Sequence, residues 1–292
     1  MEFNETSHEI FKTSDNVNLL IRSWLPDDDP KAVILAIHGG MAHGGDYVTP
    51  ALYFKDKKIA TFAPDLRWHG TYPQHNKNGK VVFHINSYNE YAKDIHEIYK
   101  EIKQRYQDKP LFIMSHSNGS LISFYYGLTI GKQSEIAGYI VSSPWLSNKV
   151  QIPFYLKAAS KIIAKIMPEF TIEPEQLTEH LTHDKDITKR HYADEKSGLR
   201  ATKVSAKLGV ESEKAQKFVL DNIAKWKNFP VYAFIAGDDY LADPDVSEAA
   251  LKSIPGDLVK IERYEKNFHE NYNEINRDEI FDNISRWMET LI

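Results

Sequence analysis

The 292-residue chain contains no cysteine, which excludes a disulfide framework, a thiolate nucleophile and a cysteine-ligated zinc. It has no surplus of basic charge: 36 basic residues, scattered along the chain, stand against 41 acidic ones and leave a net charge of −5. Nucleic acid is therefore not an expected partner. No apolar run approaches membrane-spanning length, and residues 1–10 are polar and acidic rather than a basic start leading into an apolar stretch. The expectation is a cytoplasmic protein. Internal repeats and low-complexity tracts are also missing. What is present suits a folded core: 42% hydrophobic and 26% charged residues lie away from the disorder regime. The length fits a single α/β core that carries one insertion.

The chain opens on two β-rich runs, Glu9 to Lys12 and Val17 to Trp24, joined by the polar turn Ser14-Asp15-Asn16. These predict a hairpin at the edge of a sheet. Ala32 to Ile37 is a continuous apolar run that ends at His38-Gly39-Gly40, the pattern of a buried strand emptying into a glycine loop. A helix is predicted near Tyr47 to Lys57 and a strand over Ile59 to Ala63, stopped by Pro64-Asp65. Tyr88, Tyr91, Ile95, Ile98, Tyr99 and Ile102 recur at helical spacing and predict one apolar stripe packed on the sheet. Strands follow at Leu111 to Met114, Ile136 to Ser142, Val231 to Ala236 and Leu258 to Tyr264, with helices after Ser117, near Val246 to Ser253 and over Arg277 to Leu291. Alternation of this kind implies an α/β fold with a mostly parallel sheet covered on both faces. Between Pro144 and Asn228 the strand rhythm stops. That stretch reads as a helical cap, residues 144–228, inserted into a core made of residues 1–143 and 229–292. The prolines at 168 and 174 read as a turn within it.

The chemistry centres on Ser115-His116-Ser117-Asn118-Gly119, which lies between a predicted strand and a predicted helix. A serine on such a turn is held exposed above the sheet if the residues two positions away are small, and the usual pattern is G-x-S-x-G. Here Ser115 replaces the first glycine. Because serine lacks glycine's freedom at positive φ, strain or a shifted turn is expected there. A nucleophilic serine needs a base and an acid that orients it. Asp239 follows the strand Val231 to Ala236, and His269 lies in the loop after the last strand, in the chain order Ser, Asp, His seen in α/β-hydrolases. Asp238 and Asp243 compete with Asp239, and Asp243 is expected to support the loop. The oxyanion needs two donors, and the amides of Gly40 and Asn118 are the candidates. His38 is expected to brace its loop. His180, His183 and His191 have no accompanying zinc motif and are not expected to bind metal.

With these residues in place the chain resembles the monoacylglycerol lipase and lysophospholipase branch of the α/β-hydrolases, which is also related to serine aminopeptidases. The resemblance runs through Ser23-Trp24-Leu25-Pro26, His38 to Gly45, Ala63 to Gly70, Ser115 to Gly119, Gly237 to Asp243 and Tyr264 to His269. It implies Ser117 as nucleophile, Asp239 as acid, His269 as base, and Gly40 with Asn118 as oxyanion donors. Trp68 stands where the family generally has glycine. The resemblance also implies a cap that receives an acyl chain. Ile152 to Met167 suits that role, with Ile152, Tyr155, Leu156, Ala159, Ile162, Ile163 and Ile166 as an apolar face and Lys157, Lys161 and Lys165 opposite. Such a helix could lie transiently on lipid or micelle surfaces.

The sequence therefore predicts a serine esterase that transfers an acyl group to water, needs no cofactor or metal, and takes a small-molecule acyl ester such as monoacylglycerol or lysophospholipid. Two rivals stand beside it. One is an aminopeptidase or amidase of the same fold, which requires a pocket for an amine. The other is a non-catalytic binding protein with an imperfect elbow.

Overall fold

The computed structural model describes residues 3–71, 76–77, 80–150 and 154–292, with the side chains of residues 76, 77, 80, 81, 154, 156 and 157 left out. Strands β1 (Ser7–Lys12) and β2 (Asn18–Trp24) form the expected antiparallel hairpin, turned by Asn16 at φ +66°. The wholly apolar β3 (Ala32–Ile37) is buried on both faces, as its unbroken run requires. Helix α1 (Val48–Asp56) leads to β4 (Ile59–Pro64), followed by two short strands, β5 (Asn76–Lys77) and β6 (Lys80–Phe83). Helix α2 (Tyr88–Arg105) is capped by the Ser87 hydroxyl and buries the predicted stripe, Tyr91, Ile95, Ile98 and Ile102. Strand β7 (Leu111–His116), helix α3 (Asn118–Leu128) and strand β8 (Gly138–Ser142) complete the first half.

After β8 the chain runs through α4 (Phe154–Ile166), β9 (Thr171–Ile172), α5 (Lys185–Ser197), β10 (Lys203–Ser205) and α6 (Ala206–Asn222). It then returns as β11 (Val231–Ala236), α7 (Pro244–Leu251), β12 (Val259–Tyr264) and α8 (Arg277–Glu289). The central sheet has eight strands in the order β1, β2, β4, β3, β7, β8, β11, β12. All its pairs are parallel except those that β2 makes with β1 and β4. Alternate residues of β3 divide the core: Val33, Leu35 and Ile37 pack on one face with α2 and α3, while Ala32, Ile34 and Ala36 pack on the other with α1 and α8.

The stretch after β8 differs from a purely helical reading. A second sheet, in the order β5, β6, β10, β9, sews it to the segment before α2, with β10 parallel to β6 and antiparallel to β9. Strand β9 stands where a turn was expected. Helix α6 packs on α3, and its Leu208, Ala215 and Val219 belong to the same core cluster as β3 and β7. In α4, Ala164 and part of Ile163 turn inward toward α6, whereas Tyr155, Ile162 and Ile166 are exposed beside Lys161 and Lys165. The expected apolar face is thus split between two sides; Ile152 lies outside the described residues, as do the side chains of Leu156 and Lys157. No helix among the described residues is long and apolar enough to cross a membrane.

Candidate active site

Strand β7 ends at His116, helix α3 begins at Asn118, and Ser117 makes the turn between them at φ +53° and ψ −120°. That left-handed φ costs about 1 kcal/mol or more for a residue with a Cβ. The turn is held from several sides: the Ser117 amide donates to the Ser142 carbonyl (2.9 Å), and the Ser117 carbonyl accepts from Ser120 (3.0 Å) and Trp145 (3.2 Å). The Ser117 hydroxyl is not used to cap α3. Asn118 is the first helical residue, so its amide is among those without a partner inside the helix. The helix dipole also favours negative charge at that end.

Ser115 lies inside β7, registered with Ile37 and Val141, and is absent from the positive-φ positions. The strain expected at Ser115 falls instead on Ser117. The first small position of the elbow is a matter of space, and serine fills it with its hydroxyl 3.2 Å from that of Ser120. Gly119 has the stricter requirement: a Cβ there would sit 2.1 Å from the Ile37 carbonyl oxygen and 2.5 Å from that of His38. The glycine loop after β3 crosses the same turn, since a Cβ on Gly39 would come 3.3 Å from that of Ser117. Gly40 is next and partly exposed. His38 holds the loop, its Nδ1–H directed at the Gly39 carbonyl (2.8 Å) while Nε2 accepts from the Leu66 amide (3.1 Å). Complete burial lowers its pKa to about 4, so the ring is neutral near pH 7.

In the loop after β11, the Asp239 carboxylate accepts from His269 Nδ1 at 2.6 Å, and its other oxygen accepts from the Leu241 and Ala242 amides at 2.8 and 3.0 Å. Burial pushes the Asp239 carboxyl up, but His269 and the two amides outweigh it and hold the group below its ordinary value. Because a carboxylate only accepts, Nδ1 carries a proton, so in the neutral ring the lone pair is on Nε2. Asp243 caps α7 through the Asp245 and Val246 amides. Of the competing acids, Asp239 alone is bonded to His269, and Asp243 supports the loop.

Ser117 and His269 hang from one strand end. Ser117 donates to Ser142, while the next residue, Ser143, at φ +42°, donates its hydroxyl to the His269 carbonyl at 2.7 Å. Asn271 donates to Ser143 Oγ and to the Phe234 carbonyl, tying the His269 loop to β11. His116 lies edge-on to the His269 ring with centroids 4.7 Å apart. Burial is the first cause that brings His116 to about pKa 3. Behind these groups, His38, Gly39, His116 and Glu270 line a cavity of about 30 Å³. It is far smaller than a substrate pocket of several hundred Å³.

The three histidines at 180, 183 and 191 do not converge. His180 stacks on Tyr240, His183 stacks on Phe268 and meets Glu274 at 2.9 Å, and His191 lies between Glu270 and Arg200. Reading the sequence for motifs missed a buried charge cluster built on His43, Asp46, Asp194, His191, Arg200 and Glu270. His43, Asp46 and Asp194 lie close enough to hold a metal. The Gly45 amide, however, donates to His43 Nδ1 (3.1 Å), so a neutral ring carries its proton on Nε2 and directs it at Asp194 (3.2 Å). Arg200 also occupies Asp46 at 2.6 Å. Hydrogen bonds to His43 and Asp194 and the Arg200 pair on Asp46 Oδ2 account for most of the donors and acceptors of this cluster, while Asp46 Oδ1 has ionisable neighbours at 3.7–3.9 Å and no hydrogen bond among the described residues.

The chain as a whole is similar to known proteins. A family described as serine aminopeptidase, S33, matches residues 28–276. The phospholipase YtpA of Bacillus subtilis is 26% identical over 87% of this chain and 93% of its own length. The monoacylglycerol lipase of Mycolicibacterium smegmatis is 23% identical over 97% of this chain and 96% of its own. An abhydrolase domain-containing protein of Dictyostelium discoideum is 27% identical over 96% of this chain, which spans only 28% of that longer protein. In structure, the monoacylglycerol lipase of Paleococcus ferrophilus superposes with a TM-score of 0.79 at 21% identity, over 97% of this chain and 100% of that one. The monoglyceride lipase of Saccharomyces cerevisiae gives 0.80 at 19%, over 99% and 97%. The chain belongs to the serine aminopeptidase S33 family of α/β-hydrolases.

Proposed function

We propose that this protein is a carboxylic ester hydrolase in which Ser117 is the nucleophile, His269 the general base and Asp239 the residue that orients it. The observation that carries the reading is the 2.6 Å Asp239–His269 bond, which occupies Nδ1 and turns Nε2 into the free basic position of the neutral ring, in a loop tied to the same β8 end that holds Ser117. His269 takes the Ser117 proton as the hydroxyl oxygen attacks the ester carbonyl, and the imidazolium returns it to the departing alcohol. Water then repeats the sequence on the acyl-enzyme and releases the acid. The amides of Gly40 and Asn118 receive the oxyanion, each contributing about 3 kcal/mol to the transition state. No cofactor enters these steps.

Monoacylglycerol, a lysophospholipid or a related acyl ester is the proposed substrate, in keeping with the lipase and phospholipase names of the relatives. Residues 144–228 serve as the cap over the site, with the exposed side of α4 as a transient contact for lipid surfaces and the cytoplasm as the proposed compartment. Hydrolysis rates over an ester series from acetyl to palmitoyl, including monoacylglycerol, test this, with Ser117→Ala as control. The expected result is a preferred chain length and a loss of at least about 10⁴-fold in kcat in the variant. Faster turnover of amino-acid anilides than of any ester moves the reading to amide hydrolysis. No turnover of either above the variant moves it to a binding protein.

A further inference from the structure

Glu270 directly follows His269, and its carboxylate is buried among groups from distant parts of the chain. His191 Nε2 lies 2.9 Å from one oxygen, and Asn273 donates to that oxygen at 2.7 Å. Arg200 Nη2 lies 3.6 Å from the other oxygen. Arg200 Nη1 reaches His191 Nδ1 at 3.1 Å and Asp46 at 2.6 Å. A guanidinium only donates and a carboxylate only accepts, so in the neutral ring Nδ1 accepts from Arg200 and the Nε2–H is directed at Glu270. The resulting chain of donors runs from Arg200 through His191 to Glu270. Burial pushes the Glu270 carboxyl up, but His191 and Arg200 overcome that and hold it well below the ordinary carboxylate range.

The backbone repeats the connection. The Glu270 amide donates to the Leu181 carbonyl (2.8 Å), and the Ala201 amide donates to the carbonyl of Met41, directly after Gly40 (3.1 Å). The stretch 178–201 therefore grips both the loop of His269 and the loop of Gly40. We propose that Arg200 and His191 are positioning residues for His269, acting through Glu270, so that this stretch of the cap is a fixed clamp on the base. The inference rests on the reading of His269 as general base.

The charged and titratable groups around Glu270 and His269 set the direction of the effect. His191, Arg200, Arg190 and Asp194 come from the cap, and Asp46 and His43 from the loop after β3. His116 comes from β7 and Asp239 from the loop after β11. Arg200 is the cation set against Glu270 and Asp46. Its removal takes a fixed positive charge away from Glu270 and Asp46 and makes the surroundings of His269 more negative, which favours the imidazolium and moves the acid limb of kcat/KM to higher pH. Removal of the Glu270 charge moves it to lower pH.

The test is the pH profile of Arg200→Met, Arg200→Lys and Glu270→Gln on a short soluble ester, with active-site titration by a fluorophosphonate to count competent enzyme. Per titrated site, Arg200→Met is expected to lose about tenfold or more in kcat with KM little changed, and its acid limb to rise by about half a pH unit. Arg200→Lys restores the limb, and Glu270→Gln shifts it the other way. If Arg200→Met does not fold, the Glu270→Gln shift carries the test alone. Profiles that stay in place while activity follows the number of titrated sites reduce the cluster to a structural anchor and overturn the proposal. Full activity in His269→Ala instead overturns the reading of the base itself.

Discussion

Gly119 shows how two effects of known size compete at one position. As the second residue of α3 it would gain up to about 1 kcal/mol of helix propensity on replacement by alanine. Against this, the new Cβ meets two backbone carbonyl oxygens at 2.1 and 2.5 Å, and backbone atoms do not yield as a flexible side chain does. Overpacking of this kind costs about 1–3 kcal/mol, so Gly119→Ala is expected to be less stable despite its better propensity. A urea midpoint equal to or above that of the wild type contradicts this. The opposite argument applies to Ser115, whose ordinary strand geometry needs no glycine. Ser115→Gly is expected to lose about 1 kcal/mol through backbone entropy and the Ser120 contact while keeping its rate within a few-fold. A clear gain in kcat marks hidden strain at that position. The motif G-x-S-x-G was legible in the sequence as residue types. Which of its positions bears the positive φ was not, because that depends on where β7 hands over to α3.

Strand ends carry the candidate site residues, and those ends were readable wherever an unbroken apolar run stopped: β3 before His38, β7 at Ser115 and His116, β11 before Gly237. The small sheet was not readable. Its strands are two to four residues long, and β6 and β10 pair across about 120 positions, so no local period reveals them. Two of the strand ends bring a testable liability, since the buried His38 and the partly buried His116 have folded pKa values of about 4 and about 3 against an ordinary 6.5. As the pH falls below about 6.5 the unfolded chain takes up these protons first. The stability that comes from keeping the rings neutral is full above that pH and is lost toward pH 4 and 3. Each ring contributes a slope of about 1.4 kcal/mol per pH unit inside its window. Urea unfolding between pH 7 and 4.5 should therefore be less steeply pH-dependent in His116→Gln than in the wild type. Parallel stability curves contradict the assignment.

Taken as a whole, the stretch between β8 and β11 has two characters. Residues 178–201 are tied to the core through partners up to 154 positions away in sequence, such as Arg200 with Asp46, a distance over which charge pairing leaves no sequence pattern. The part around α4 is the reverse: Tyr155, Ile162, Ile166, Met167, Phe170 and Ile172 are all exposed, between 43% and 73%. Scattered exposed apolar residues are ordinary, but six within 18 residues and interleaved with exposed Lys161 and Lys165 suit a helix that rests on a lipid surface. If this is the surface contact proposed above, Ile162→Ser with Ile166→Ser removes about 2 kcal/mol of apolar transfer and weakens partition onto phosphatidylcholine vesicles roughly thirtyfold. Added anionic lipid should strengthen binding of the wild type through the lysines, and salt should reverse that part. Neither side chain belongs to the catalytic groups, so turnover of a soluble short-chain ester should remain near the wild-type rate while turnover of vesicle-borne monoacylglycerol falls. Equal partition of the two proteins removes α4 as the contact, and loss of both activities assigns the two isoleucines to packing within the cap.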